Sequence, residues 1–327
     1  MSSRSCIITP GNFRATRRQG ASFLSVTILF ILLAGCGGVQ LTQIQKEMAG
    51  IPSRAELKNV PLYPQEADQC GAASLAMVLH WSGIPATPES LVPEVYSPSL
   101  KGSLQPAIIG AARRSGRVAY HIYGTEGLLR EVGGGHPVIV LLNLGLSWHP
   151  KWHYAVVTGY DLSENFVVVH SGKIKPEYFP FRVFENTWAR SNRWGLLVLR
   201  PADLPVTADE KSYLAAVLGL EKARQWREAV NGYQTALRKW PGSLTALMGL
   251  GNSLYALGDL PQAEKAFRDA AHLYPTSGPA FNNLAQVLWK EGRREEALAA
   301  AEKAVALGGP LSATFQKTLE EIQSGNP

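Results

Sequence analysis

The sequence predicts two folded parts, an α+β domain followed by an all-α domain. Residues 60–200 alternate helix candidates with short runs rich in Val, Ile, Leu and Tyr, which is typical of strands mixed with helices. After residue 200 the composition shifts to Ala and Leu, with few β-branched residues. A residue pattern also recurs every 34 residues in this second region, which indicates stacked helical units.

The same observations divide the 327 residues into six segments. The stretch Arg200–Val206 contains two prolines and separates the two folded parts, as linkers do. From the N-terminus, the predicted segments are a signal peptide at 1–35, a tether at 36–58, the α+β domain at 59–201, a linker at 202–209, three repeats at 210–310, and a C-terminal helix and tail at 311–327.

The N-terminal segment has the features of an export signal. Three arginines lie between residues 14 and 18, and the apolar stretch 21–34 is shorter than the roughly 20 residues that span a bilayer. Leu33–Cys36 then places small residues before a cysteine, and this combination resembles a bacterial lipoprotein signal. The resemblance implies cleavage before Cys36, lipid attached to Cys36 and a lipid anchor in the cell envelope. An aspartate directly after the lipidated cysteine is typical of lipoproteins kept in the inner membrane. This chain has Gly37 there, so the signal resembles those of lipoproteins sorted to the periplasmic face of the outer membrane.

The charge balance argues against a nucleic-acid-binding protein. The chain carries 32 basic and 26 acidic residues, a net charge of +6. Four arginines lie in the signal segment, so the rest of the chain has 28 basic and 26 acidic residues and a net charge near +2. No run rich in Lys or Arg occurs, and we expect no nucleic-acid partner.

Helix and strand candidates alternate along the α+β domain. Thr87 before Pro88 is typical of a helix start, with a side-chain cap followed by proline at the first helical position. The helix candidate 69–82 is apolar nearly all round, so we expect it to lie buried against a sheet. The helices are predicted at 69–82, 88–95, 104–115 and 126–132, and the strands at 118–123, 137–142, 154–160, 166–170 and 195–199.

The repeated pattern of the second domain has a fixed spacing. The segments Gln225–Ala229, Asp259–Ala263 and Arg293–Ala297 begin 34 residues apart, and this period and pattern resemble tetratricopeptide repeats. Tyr233 and Phe267 occupy equivalent positions for a large residue, although the third unit has Ala301 there. The recurring small residues are Ala229, Ala263 and Ala297, and then Ala236, Ala270 and Ala304.

Three such units are expected to stack into a concave surface that binds a protein partner. The groove-facing side chains come mainly from the first helix of each unit, and asparagine there can both donate and accept hydrogen bonds. The predicted partner-binding residues are Asn252, Tyr255, Asn282, Asn283 and Gln286.

Cys70 carries the strongest functional signal in the sequence. Cys6 lies in the signal segment and Cys36 is the predicted lipid site, so Cys70 is left as the free thiol of the exported chain. Cys70 opens an apolar helix candidate, and the amides and partial positive charge at a helix N-terminus favour thiolate over thiol. We therefore expect a reactive cysteine whose pKa lies below that of a free thiol.

A histidine in a later strand completes the pattern around Cys70. A cysteine at a helix N-terminus and a strand-borne histidine such as His153 are the arrangement of papain-like enzymes. Gln65, the segment Cys70–Met77 and the segment His153–Asp161 together resemble the double-glycine, bacteriocin-processing cysteine peptidases. The resemblance implies that Cys70 is the nucleophile and His153 the base. It also implies that the Gln65 amide donates to the oxyanion beside the Cys70 backbone N–H.

The third catalytic position departs from the family pattern. A hairpin centred near Ser163 would bring residues 171–173 opposite His153, where the family usually has an aspartate. This chain has Ser171, which can orient an imidazole by a hydrogen bond but carries no charge. The other candidates for this role are a backbone carbonyl, Glu185 and Asn186.

Other side chains near the site have simpler interpretations. His149 and His153 are four residues apart, but a proline separates them and strand residues follow, so we expect neither a metal site nor a cofactor. Asp161 is expected to begin the hairpin turn. Trp148 and Trp152 could lie either in the core or at the rim of a substrate cleft.

The predicted activity is hydrolysis of peptide bonds in a peptide or protein substrate, through a thioester on Cys70. Two alternatives remain open. One is an amidase or transpeptidase that acts on cell-wall peptides, since the same pair of residues serves any acyl transfer. The other is a non-catalytic assembly lipoprotein that binds peptides, and the missing aspartate favours it.

Overall fold

The computed structural model describes residues 50–64, 68–172 and 175–325. The predicted signal peptide, the lipidation site Cys36 and the oxyanion residue Gln65 lie outside these residues. From Ile51 onward the chain forms one compact unit. Within the described ranges, no helix is both long and apolar enough to cross a membrane.

The predicted fold class is confirmed, because an α+β domain precedes an all-helical region. Each helix and strand predicted for the α+β domain occurs within two residues of its expected bounds. The strands are β1 (Arg54–Glu56), β2 (Tyr96–Ser97), β3 (Gly102–Ser103), β4 (Val118–Ile122), β5 (Val138–Asn143), β6 (Trp152–Asp161), β7 (Phe166–His170), β8 (Glu177–Pro180) and β9 (Gly195–Leu199). The helices are α1 (Cys70–Trp81), α2 (Pro88–Val95), α3 (Gln105–Arg114), α4 (Gly124–Gly133) and α5 (Phe181–Ala189).

The described strands form one seven-stranded antiparallel sheet and one separate hairpin. The order in the sheet is β4-β9-β5-β6-β7-β8, and β2 pairs with β3 in the hairpin. β1 pairs with Gly159–Asp161 of β6, beyond the part of β6 that pairs with β5. The predicted tether at 36–58 is therefore too long. Arg54–Glu56 pairs with the edge of β6 that β5 leaves open, and three residues are too few to show a strand pattern in the sequence.

Helix α1 lies buried, as its apolar sequence predicts. Residues Gly71–Leu79 are all buried, and the helix packs against β5, β6, α2 and α3. Its core neighbours on the sheet include Tyr154, Val156 and Leu196. Because the helix is enclosed in this way, the position of its first residue, Cys70, is fixed relative to β6.

The hairpin of β6 and β7 sets the position of the residue that follows it. Asp161 pairs with Phe166, and its carboxylate accepts hydrogen bonds from the N–H groups of Ser163 at 3.0 Å and Glu164 at 2.9 Å. Asp161 therefore begins the turn, as predicted. β7 runs antiparallel to β6, so the end of β7 lies near the start of β6. Ser171 follows β7 directly and therefore lies at that end of the sheet.

The helical region consists of three helix pairs and a final helix within the described residues. These are α6 (Glu210–Lys222), α7 (Trp226–Lys239), α8 (Leu244–Leu257), α9 (Leu260–Leu273), α10 (Gly278–Lys290), α11 (Arg294–Leu307) and α12 (Ser312–Ser324). Tyr233 and Phe267 are buried. The third unit has Ala301 at the equivalent position, and Phe315 of α12 packs closely over Gly278.

A buried carboxylate holds the linker between the two parts. Glu131 is fully buried and accepts hydrogen bonds from the Thr207 N–H at 2.7 Å, the Thr207 hydroxyl at 2.6 Å and the Val206 N–H at 3.2 Å. Its carboxylate also lies 2.7 Å from His136 Nδ1. The Tyr120 hydroxyl donates to the Thr207 carbonyl at 3.0 Å, and α6 packs against β4. The linker is therefore fixed to the α+β domain.

Candidate active site

Cys70 is the first residue of α1, and two unusual residues precede it. Asp68 has a φ of 66°, in the left-handed region that residues other than glycine adopt infrequently. Gln69 is the N-cap, and its side chain makes no capping hydrogen bond. No side-chain cap therefore covers the amides of the first helical turn, and they can act as donors at the site.

The Cys70 thiol is mostly buried and surrounded by backbone donors. Burial is the largest effect and raises the pKa of the thiol, although N–H groups of Tyr154, Gly71 and Cys70 lower it. The Asp68 carboxylate raises it further, and the net pKa lies above the ordinary value. The expectation of a depressed pKa is therefore wrong for the resting protein, because loss of hydration outweighs the stabilisation of the thiolate by the helix N-terminus.

His153 is the second residue of β6, and its ring contacts Ser171. The ring Nε2 lies 2.8 Å from the Ser171 hydroxyl oxygen. Burial lowers the pKa of His153, and the Glu177 carboxylate and the Ser171 backbone oppose this effect. Lys151 lowers the pKa further. With a raised thiol pKa and a lowered imidazole pKa, Cys70 and His153 are both neutral in the resting protein at neutral pH.

The structure places Ser171 at the imidazole, and it places the two alternatives from α5 elsewhere. The Glu185 carboxylate accepts a hydrogen bond from the Thr125 hydroxyl at 2.9 Å and is bound on the other side by an arginine. Asn186 is exposed on the same helix. The hydroxyl of Ser171 is thus the described side chain that orients the His153 ring.

Cys70, His153 and Ser171 line one cavity of about 1050 Å³. Its other walls come from the β2–β3 hairpin with the start of α3, from the residues before and after His153, and from the segment after α5. The lining residues are Asp68, Leu100–Pro106, Leu141, Lys151, Trp152, Tyr154, Gly172 and Arg190–Asn192. The walls mix apolar with charged side chains, as sites for ligands with both kinds of group do.

The loop before β6 is fixed by Asn143, a residue that sequence reasoning missed. Asn143 is 2% exposed, and its side-chain oxygen accepts hydrogen bonds from the N–H groups of Gly145 and Lys151, each at 3.0 Å. The one signal for it was an asparagine at the end of an apolar strand candidate. Trp148 is 81% exposed and Trp152 is 50% exposed and lines the cavity, so neither belongs to the core.

The β2–β3 hairpin approaches Cys70 through a glycine. A Cβ atom at Gly71 would lie 2.5 Å from the Cβ and the hydroxyl oxygen of Ser103, so glycine is required for this contact. The Ser103 hydroxyl is buried and has no hydrogen-bond partner among the described residues. Sequence reasoning missed this hairpin because its strands are two residues each and show no alternation of apolar and polar residues.

The histidines near the site lie in different structural elements. His149 forms an isolated β-bridge with Leu146 in the loop, whereas His153 belongs to β6. Among the described residues, no three His, Cys, Asp or Glu side chains are grouped so that they could hold a metal ion.

Three of the predicted partner-binding residues form a chain of amides across two repeats. The Asn283 amide donates to the Asn252 side-chain oxygen at 2.9 Å, which links α10 to α8. The Asn282 amide donates to Asn283 at 3.3 Å. Asn282 is only 4% exposed, so its side chain is buried in the repeat region and is not presented at a surface as predicted.

The other two predicted partner-binding residues are partly exposed. The Gln286 amide lies 3.4 Å from the Thr318 hydroxyl of α12. The ammonium group of Lys290 lies 5.9 Å from the centre of the Tyr255 ring. Both contacts join helices of the repeat region and leave one face of each side chain in solvent.

Comparisons with known protein families found matches to both parts of the chain. Residues 57–195 match the Peptidase_C39 like family. Residues 214–278 and 280–308 match two families of tetratricopeptide repeat. A search of the curated proteins found no match.

Solved structures similar to each part were also found. A protein of Bacillus anthracis described as a C39-like peptidase is 21% identical, with 45% of this chain and 97% of that chain covered and a TM-score of 0.39. The Yersinia enterocolitica type III secretion chaperone SycD, in complex with a peptide of the translocator YopD, is 17% identical, with 36% and 94% covered and a TM-score of 0.34. By its family matches, the chain carries a Peptidase_C39-like domain followed by C-terminal tetratricopeptide repeats.

Proposed function

We propose that the chain is a cysteine peptidase in which Cys70 is the nucleophile and His153 the base. One observation carries the proposal. The thiol at the α1 N-terminus and the imidazole bound to Ser171 line the same cavity, within a domain that matches a peptidase-like family. The substrate is a peptide or protein, because the cavity combines apolar side chains with hydrogen-bonding and charged groups.

The proposed reaction begins with both groups neutral. As the Cys70 sulfur bonds to the substrate carbonyl carbon, its proton moves to His153. Ser171 occupies Nε2, so Nδ1 is the nitrogen that takes the proton. The electron pair of the carbonyl double bond moves to oxygen, and this oxyanion accepts hydrogen bonds from the Cys70 N–H and the Gln65 amide.

Collapse of this intermediate breaks the carbon–nitrogen bond. The imidazolium of His153 gives its proton to the departing amine, and the acyl group stays on Cys70 as a thioester. Water then attacks the thioester and passes one proton to His153. The sulfur leaves and regains that proton, so the products are an amine and a carboxylic acid, and the enzyme returns to its starting state.

Incubation of the full chain with a mixture of peptides in ¹⁸O-labelled water tests the proposal. We expect new peptide ends by mass spectrometry, with one ¹⁸O in each new carboxylate, and none with Cys70→Ala. Transfer of the acyl group to an added amine, without ¹⁸O, would identify a transpeptidase. Absence of any cleavage by the wild type across a broad peptide mixture would refute the peptidase.

A second candidate, a non-catalytic peptide-binding protein, is favoured by one observation. The residue at the imidazole is Ser171, a neutral group, where related peptidases usually have aspartate. In that case the wild type and Cys70→Ala should retain the same peptides, uncleaved and with equal affinity. Cleavage that depends on Cys70 would exclude this candidate.

We further propose that the protein is a lipoprotein of the bacterial cell envelope, anchored at the periplasmic face of the outer membrane. Its repeats would recruit a protein partner or substrate through residues such as Asn252 and Asn283. Cys36→Ser should block processing and leave a larger precursor in place of a membrane-bound mature form. A mature N-terminus well beyond residue 36, without lipid, would contradict the anchor.

A further inference from the structure

The hydrogen-bond partner of the His153 imidazole is a neutral hydroxyl, although a negative charge would stabilise the imidazolium better. Acyl transfer puts a positive charge on the ring, and a nearby carboxylate stabilises that charge far better than a hydroxyl does. Ser171 Oγ lies 2.8 Å from Nε2 and supplies orientation only. The position and charge of the groups around Ser171 therefore decide how well this site can form an imidazolium.

Glu177 is brought to the same face of the sheet by the pairing of β7 with β8. Val169 pairs with Glu177 in this antiparallel ladder, so their side chains point to the same face. Ser171 follows the last residue of β7, two positions after Val169, and its hydroxyl lies at the His153 ring. The pairing with Val169 therefore places Glu177 beside the end of β7 from which the chain continues to Ser171.

Two charged side chains among the described residues act on the pKa of His153 in opposite directions. Glu177 raises the pKa of the imidazole against the effect of burial, whereas Lys151, two residues before His153, lowers it. Asp68 also lines the cavity and acts on the pKa of Cys70. Glu177 is half-buried in β8, so its field is less screened by water than that of an exposed carboxylate.

We propose that Glu177 is the positioning carboxylate of this site, acting on His153 from β8 in place of the usual aspartate after β7. The inference rests on the proposed peptidase function. When the Cys70 proton reaches Nδ1, Ser171 accepts a hydrogen bond from Nε2–H and holds the ring plane. The Glu177 carboxylate offsets the new positive charge through space. Ser171 thus orients the ring and Glu177 stabilises its positive charge, two roles that the usual aspartate would combine.

The test is an NMR titration of the His153 ring in the wild type and in Glu177→Gln, with His153→Gln used to assign the signal. We expect the substitution to lower the His153 pKa. It should also reduce kcat about tenfold with little change in KM, since the carboxylate acts through a charge several ångströms away. Glu164→Gln is the matched control, because Glu164 is an exposed glutamate in the turn of the β6–β7 hairpin. Glu164→Gln should change neither the His153 pKa nor kcat.

A rescue variant separates the charge from the fold. Ser171→Asp in the Glu177→Gln background restores a carboxylate near the ring, and it should return the His153 pKa and kcat toward wild-type values. If Glu177→Gln does not fold, Glu177→Asp can be tested in its place. Its side chain keeps the negative charge but is shorter, so the His153 pKa and kcat should both decrease by less.

The two proposals fail in different ways. An active wild type in which Glu177→Gln leaves the His153 pKa unchanged overturns the role of Glu177 and leaves the peptidase intact. A wild type without peptidase activity, in which Glu177→Gln still lowers the His153 pKa, overturns the peptidase and supports the coupling of these two residues.

Discussion

At the Cys70 sulfur, two physical effects act in opposite directions. The helix N-terminus and the Tyr154 N–H stabilise a thiolate, and burial in an apolar site stabilises the thiol. Burial prevails, so the nucleophile rests as a thiol beside a neutral His153. Cys70 then loses its proton as it attacks the substrate, and no thiolate–imidazolium ion pair exists before the attack.

This balance predicts the alkylation behaviour of Cys70. Its rate of reaction with iodoacetamide, followed by mass spectrometry of the peptide that contains Cys70, should rise with pH around a pKa above that of the same thiol in urea-unfolded protein. The folded-state pKa is raised, so at pH 7–8 the folded thiol should react more slowly than the unfolded one. A lower pKa in the folded protein would show that the helix N-terminus outweighs burial.

The pH dependence of catalysis follows from the same pair of shifts. His153 must be neutral to accept the proton, and its pKa is lowered, so kcat/KM should rise to its plateau at a pH below the ordinary histidine value. The raised thiol pKa moves the alkaline limb above the ordinary cysteine value. Measurement of kcat/KM from pH 4 to 10 should therefore give a wide plateau. A narrow bell centred near neutral pH would contradict it.

Gln65 offers a further test at the residue scale. As an oxyanion donor its amide should contribute in the transition state, so Gln65→Ala should lower kcat by about 10²–10³. The melting temperature should stay within a degree or two, since the role needs no structural contact. Parallel losses of activity and of melting temperature would assign Gln65 to the fold.

At the scale of elements, the contact of α1 with the β2–β3 hairpin shapes one wall of the cavity. Gly71→Ala would force a Cβ atom against Ser103 and should lower the free energy of unfolding by about 1–3 kcal/mol. It should also weaken substrate binding by displacing the hairpin. Chemical denaturation measures the first effect, and KM the second.

Two further variants make this test specific. Gly127→Ala, in helix α4, has its nearest neighbour at 4.0 Å and should be neutral or stabilising by up to about 1 kcal/mol. Ser103→Gly in the Gly71→Ala background should recover much of the lost stability. No recovery would place the strain elsewhere in the helix.

The longer elements could be predicted from the sequence because each carries its own pattern. The apolar run of α1 and the branched residues of β5 to β7 are local signals, and counting along the β6–β7 hairpin led to Ser171. β8 was missed because it is a four-residue edge strand between Pro176 and its own final Pro180, both poor strand residues. The raised thiol pKa was missed because burial depends on packing between elements distant in sequence.

For the whole molecule, the bonded linker means that the two parts do not behave as independent domains. Glu131→Ala would remove a fully buried carboxylate and leave two N–H groups and a hydroxyl of the linker without their acceptor. It should therefore lower the free energy of unfolding by about 3 kcal/mol or more. Glu126→Ala removes an exposed salt bridge with Arg130 and should change the free energy of unfolding by under about 1 kcal/mol. Equal effects of the two substitutions would show that the linker is not held through Glu131.

The central claim is that Cys70 and His153 act as one unit on acyl groups. The most direct measurement is the rate at which a peptidyl acyloxymethyl ketone labels Cys70 at pH 7. The wild type and His149→Ala, which removes an exposed histidine of the adjacent loop, should label at similar rates. His153→Ala should label about 10²–10⁴ times more slowly. Labelling of Cys70 at the same rate with and without His153 would contradict the account.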